Sequence, residues 1–99
     1  MIRGTTPTLI FTLPLDTNLI EEAYITIAQN GEVVIDKNYT DCAIGERSLT
    51  LKLSQEETLL LDARERAEIQ IRVRTTTGDA LASNIIKVST GRILKDGVI

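Results

Sequence analysis

The chain has 99 residues, 42% of them apolar but only 3% aromatic, with 14 acids against 11 bases and no histidine. That length predicts one domain, 1–99, able to bury a core without staples, and the core must be aliphatic. The net charge of −3 argues against a nucleic-acid partner, which needs a basic footprint, and against attraction to an anionic membrane surface.

The opening, "MIRGTTPTLIFTLPLD", carries one positive charge and is broken by Thr and Pro, a poor core for a signal peptide. No window approaches the ~18 consecutive apolar residues of a membrane span. Cys42 stands alone, which excludes an intramolecular disulfide and fits a reducing compartment. The chain reads as cytoplasmic at synthesis.

Leu9, Phe11 and Leu13 alternate with Thr8, Thr12 and Pro14, a strand with one buried side. Pro14 cannot donate to a ladder and marks an end or an edge. In "DTNLIEEA", Asp16 is an N-cap candidate for one helical turn before Ala23. "AYITIAQNGEVVIDKN" is a hairpin, because Asn30-Gly31 suits a turn whose two central residues need positive φ. Counting outward pairs Ala28 with Val33, Ile27 with Val34 and Thr26 with Ile35. Apolar residues then fall on both faces, so this hairpin is expected to be covered on both sides.

"YTDCAIGER" is irregular, with a turn at Gly45. "SLTLKLS" sends Leu49, Leu51 and Leu53 inward and Thr50 and Lys52 outward. Ser54 and Glu57 then have capping-box spacing. Leu60, Ala63 and Ala67 give only a thin apolar stripe, so the helix is expected to be short, over 55–61. Two more strands follow, 67–75 and 80–90. In the first, Ile69, Ile71 and Val73 alternate with Gln70, Arg72 and Arg74; in the second, Ile86 and Val88 alternate with Lys87 and Ser89. The tail "GRILKDGVI", 91–99, is apolar enough to dock on something. The sum is an all-β fold: an antiparallel, immunoglobulin-like β-sandwich of about six or seven strands with one or two short helical turns. The Asn-Gly turn would make its hairpin strands C and C′, leaving the first strand to pair elsewhere.

Without histidine, the usual general base and the commonest metal ligand are missing. Cys42 lacks a base to activate it and reads as a small, buried or half-buried hydrophobe. Glu21-Glu22 and Glu56-Glu57 read as acids at helix starts, favoured by the dipole, since adjacent helical residues do not face one another. The glycines form no phosphate loop, and no calcium loop is present. The reading is therefore a non-enzyme with no catalytic residues, cofactor or metal. "NYT" at 38–40 fits a glycosylation sequon and is given no role.

The stretches "MIRGTTPTLIFTLPLD", "AYITIAQNGEVVIDK", "LTLKLSQEETLLLD" and "EIQIRVRTTTGDALASNIIKVSTGRILKDGVI" together resemble short prophage-type proteins of Gram-positive bacteria. The strand pattern is also similar to the immunoglobulin-like N-terminal domain of phage upper-baseplate proteins, which opens with an apolar strand followed by a Gly-turn hairpin. The resemblance implies a structural role in a tail or baseplate, with virion association after assembly. It carries no functional residues over.

The candidate interaction face is Arg72 and Arg74 with Lys52, and Lys87 near them, joined by the apolar tail residues Ile93, Leu94, Val98 and Ile99. Arginine is enriched at interfaces, although an ordinary solvated face has the same composition. The leading expectation is a structural or interaction module of prophage origin whose partner is itself, as a homo-oligomer, or another phage structural protein. The alternatives are a carbohydrate- or ligand-binding sandwich, for which Tyr24 and Tyr39 are the only aromatic platforms with polar handles, and a small acidic regulator or inhibitor of a host protein.

Overall fold

Strict alternation at Leu49, Leu51 and Leu53, and again at Ile69, Ile71 and Val73, gives two apolar strand faces that must meet. The computed structural model describes residues 1–99, and these faces do meet, in one cluster of 14 buried side chains between two antiparallel sheets. Strand β1 (Thr8–Thr12) pairs with β5 (Ser48–Lys52), and β5 with β4 (Ala43–Ile44). The larger sheet contains β2 (Ile20–Gln29), β3 (Glu32–Asn38), β6 (Ala67–Thr75), β7 (Ala80–Ala82) and β8 (Ile86–Val88). Its order is β3-β2-β6-β7, with β8 also on β6. The fold is all-β and sandwich-like, as the alternation predicts.

There are eight strands rather than six or seven. The two-residue β4 emerges from a stretch that looks irregular, and the expected strand 80–90 is broken in two. Opposite β6, Arg72 faces Ala82 while Ile69 faces Ile86. Between those pairs β6 advances three residues and its partner four. The extra residue is absorbed around Ser83, whose backbone N–H donates to the Ile71 carbonyl and whose hydroxyl accepts from the Ile71 N–H.

The Asn-Gly turn forms as expected, with positive φ at Asn30 (50°) and Gly31 (80°). Ala28 pairs with Val33 as counted, but beyond it the register shifts. Ile27 faces Ile35, not Val34, and Thr26 faces Asp36, not Ile35. Val34 is the extra residue of a bulge. Without it Ile35 would point to solvent; with it Ile35 is buried beside Ile27, and the Thr26 hydroxyl donates to Asp36 at 2.9 Å. The hairpin is covered on one side only, because Tyr24 and Val33 on the other side are exposed. A second bulge separates Ile20 from Glu22 where β2 runs along β6. It allows Ile20 and Ala23 both to be buried while Glu21 and Glu22 lie outward. Glu21-Glu22 therefore belongs to a strand, not to a helix start.

The helical segments number three, against one or two expected. A 3-10 turn spans Thr17–Leu19, and its Asp16 makes no side-chain cap but binds Arg47 at 3.1 Å. A second 3-10 turn spans Tyr39–Asp41, capped by Asn38. Helix α1 covers Gln55–Thr58, shorter than the predicted 55–61. Its capping box closes both ways: Glu57 N–H donates to the Ser54 hydroxyl at 3.1 Å, and Ser54 N–H to the Glu57 carboxylate at 2.9 Å. Beyond Thr58 the hydrogen bonds tighten to three-residue steps, Leu60 to Glu57 and Leu61 to Thr58. That winding buries Leu61 and leaves Leu60 exposed.

The same Glu57 carboxylate receives Lys37 Nζ at 2.5 Å. Lys37 sits opposite the buried Ile25, so it points into the sandwich from the edge strand β3, and the ion pair closes that side. The hydrogen bond to Glu57 raises the Lys37 pKa against the opposing effect of burial. Burial pushes Glu57 up, but hydrogen bonds from Lys37 and Ser54 outweigh it and hold the carboxyl below its usual value. A depressed carboxyl contributes stability above its unfolded pKa and loses it as pH falls through the folded one. Glu57→Gln keeps an acceptor for the Ser54 N–H but removes the charge that faces Lys37, and is therefore expected to cost up to about 1 kcal/mol at pH 7. The gap from the parent should shrink as both are melted at pH values descending from 5 to 2; a gap constant over that range would show that the carboxylate charge plays no part.

Candidate interaction surfaces

The polar residues of β6 form the centre of the larger sheet's outer face. Arg72 lies between Tyr24 on β2 and Ala82 on β7; Arg74 lies between Glu22 and Ala80. Because of the bulge, Arg74 meets two acids, and its Nε lies 3.7 Å from Glu21. Glu22 is turned to the Asn38 amide at 2.8 Å. Arg72 has no ion-pair partner. A shallow cleft of about 160 Å³ runs between Glu22, Tyr24, Arg72 and Arg74 with Ala80 beside it. The Arg74 pair is half exposed, so it contributes roughly 0–1 kcal/mol.

Lys52 does not join this face. It extends from β5, whose Leu49, Leu51 and Leu53 fill the core from the other sheet, so Lys52 lies on the opposite outside of the sandwich. Lys87 does lie on the arginine side, facing Glu68 across β6–β8. Of the tail residues, Ile93 is tucked inward: a Cβ added to Gly4 would come within 2.9 Å of its Cδ1. The Leu94 side chain points away and is 94% exposed. The tail's backbone is nonetheless held. Gln55 donates to the Ile99 carbonyl at 3.1 Å and accepts from the Ile99 N–H at 2.8 Å, while Arg3 reaches Asp96 at 3.4 Å.

Three polar side chains that sequence reasoning passed over close the ends of the fold. Arg3 donates to the carbonyls of Leu61 (2.7 Å) and Leu59 (3.0 Å), in the turn that follows α1. Gln29, buried at the end of β2, donates to Asp62 and Glu65 carbonyls at 2.8 and 3.1 Å and accepts from the Asp62 N–H at 2.8 Å. The Thr90 hydroxyl donates to the same two carbonyls. Only Gln29 carried a signal: a polar residue in phase with Ala23, Ile25 and Ile27.

On the side away from Lys37 the sandwich is less closed. A groove of about 170 Å³ lies between the end of β1 and the edge strand β7, lined chiefly by Leu13, Leu15, Ile71, Val73 and Leu81. Leu81 and Ile86 share the core face of β6, being paired with Val73 and Ile69, yet they remain 44% and 51% exposed. Burial raises the Cys42 pKa, with Asp41 adding to it, so the thiol stays protonated and a poor nucleophile. No helix is long and apolar enough to cross a membrane. No family model, no characterised protein and no solved structure matches the chain.

The two kinds of polar residue should respond oppositely to substitution. Arg72→Gln, at the arginine without an ion-pair partner, is expected to change unfolding free energy by no more than about 0.5 kcal/mol, as exposed sites do. Gln29→Leu is expected to cost about 1–3 kcal/mol, chiefly by leaving the part-buried Asp62 N–H without its acceptor, since Thr90 still serves the two carbonyls. Urea unfolding of both variants tests the contrast, and equal effects would refute it.

Proposed function

We propose that this chain is a non-enzymatic assembly module built on an immunoglobulin-like sandwich, serving a prophage-type structural complex such as a tail or baseplate. The strand order supports the first part. With the Asn-Gly hairpin as C and C′, β1-β5-β4 corresponds to B-E-D and β3-β2-β6-β7 to C′-C-F-G. The likeness of the four quoted stretches to prophage-type proteins supports the second.

The observation that carries the assembly role is the unequal treatment of the sheet edges. Edge strands invite pairing, and natural proteins blunt them with inward charges, short strands or proline. Edge β3 has the inward Lys37 bound to Glu57, and edge β4 is two residues long. Edge β1 is flanked by Pro7 and Pro14. Edge β7–β8 consists of two three-residue strands but has no inward charge and no proline, and its inner side chains Leu81 and Ile86 are half exposed, Leu81 beside the apolar groove. A contact surface on this side buries those aliphatic groups.

Light scattering on the purified protein, alone and mixed with structural proteins encoded beside its gene, tests the reading. A complex that is lost on Leu81→Asp, with the melting temperature kept, supports it. A single-chain mass up to ~1 mM in every mixture overturns it, since that limit leaves no more than about 4 kcal/mol of association.

A further inference from the structure

The free edge from Ala80 to Val88 has a property that selects its occupant. Ser83 bonds to Ile71, so antiparallel alternation turns the backbone groups of Ala80 and Ala82 outward. The same alternation along β6 turns those of Lys87 outward, because Ile69 and Ala67 engage Ile86 and Val88. Past Val88 the edge is already occupied: Arg3 N–H donates to Gly91, and Gly91 N–H to Met1. What is open is one stretch with an extra residue in its middle. Ala80 and Ala82 lie on the outer face opposite Arg74 and Arg72, and Ile85 lies on that face beside Gln70 and Thr26.

We propose, building on the assembly role, that the occupant is a second copy of this chain, docked antiparallel along the same edge with a two-fold axis between Ser83 and Asn84. In that register Ala80 faces the partner's Lys87 and Ala82 the partner's Ile85, outer face against outer face. Leu81 faces the partner's Ile86, inner against inner. Every pair occurs twice, as an isologous contact requires. The extra residue of one edge lies against that of the other, so the ladder stays in phase, whereas a regular strand would need its own insertion there. Charge selects the same direction: parallel, in-register docking would set Lys87 against the other copy's Lys87, whereas the antiparallel register sets it against the small, neutral Ala80. The contact covers less than a standard interface, so the dimer is weak, roughly micromolar or looser.

Ala82→Pro removes an N–H that the chain's own sheet does not use, and Cys42→Ser with Asn84→Cys places a thiol at the axis. The expected results are a concentration-dependent dimer of the parent by sedimentation, at least tenfold weaker in Ala82→Pro with an unchanged melt, and rapid oxidative cross-linking at position 84. A control cysteine replacing Thr8 on β1 should not cross-link. Self-association that survives Ala82→Pro without cross-linking at 84 overturns the edge while leaving the assembly role standing. A parent that binds only a different protein does the same. Should Ala82→Pro unfold, Ile85→Lys, on the outer face, replaces it with the same expected loss.

Discussion

Strand phase is the constraint on which this structure depends. A β-strand shows alternate residues to its two sides, so one misplaced residue exchanges core for solvent along the rest of the strand. With three aromatic residues in the whole chain, the core cannot rely on a few large side chains. It needs Ile25, Ile27, Leu49, Leu51, Leu53, Ile69, Ile71 and Val73 all pointing the same way at once. The bulges at Glu21 and Val34 and the slip after Ser83 act as phase corrections. Each occurs where unbroken alternation would have put an aliphatic side chain on the wrong side, or a charged one in the core.

Long strands leave polar backbone groups where the chain turns, and these ends are closed by side chains distant in sequence. Arg3 takes carbonyls 56 and 58 residues away, and Gln29 holds a loop 33 residues on. These contacts also explain the short helix. Residues 59–66 are helix formers by propensity, but a helix continued through them could not at once bury Leu61, present Leu59 and Leu61 carbonyls to Arg3 and lock Asp62 against Gln29. Tertiary contacts override local preference here, and the carboxylate of Glu57 serves both as cap and as counter-ion to Lys37.

What was legible in the residues follows from this. The Asn-Gly turn, the Leu49–Leu53 alternation, the strand at 67–75 and the Ser54–Glu57 box are each specified within a few neighbouring positions, and each stands where expected. The hairpin register beyond Ala28 was not legible, since a bulge shows itself only through its partner strand. Nor was the place of Lys52, because alternation says which residues point outward but not from which sheet. Arg72 and Arg74 could be assigned to an outer face, yet not the pairing of Arg74 with Glu21, which depends on a bulge in β2. The tail was legible as apolar; that its backbone is bound by Gln55 while Leu94 stays in water was not.

The same accounting separates two surfaces of similar appearance in sequence. The arginine face is already partly satisfied: Arg74 has an acid, Glu22 has an amide, and the small Ala80 and Ala82 leave the sheet flat between them. Desolvating it would expose Arg72 to the full penalty of a buried charge unless a carboxylate arrived with the partner. The β7–β8 side has no such charge at its centre. Leu81 and Ile86 are in the correct phase for the core but lie beyond the strands that would cover them, so covering them gains apolar burial without stranding a charge. A sandwich that spends an inward lysine and a capping glutamate on closing one side, and leaves aliphatic residues half covered on the other, is asymmetric in the property that decides where strands add. Contact made through backbone ladders and aliphatic burial is then favoured over contact through the arginines.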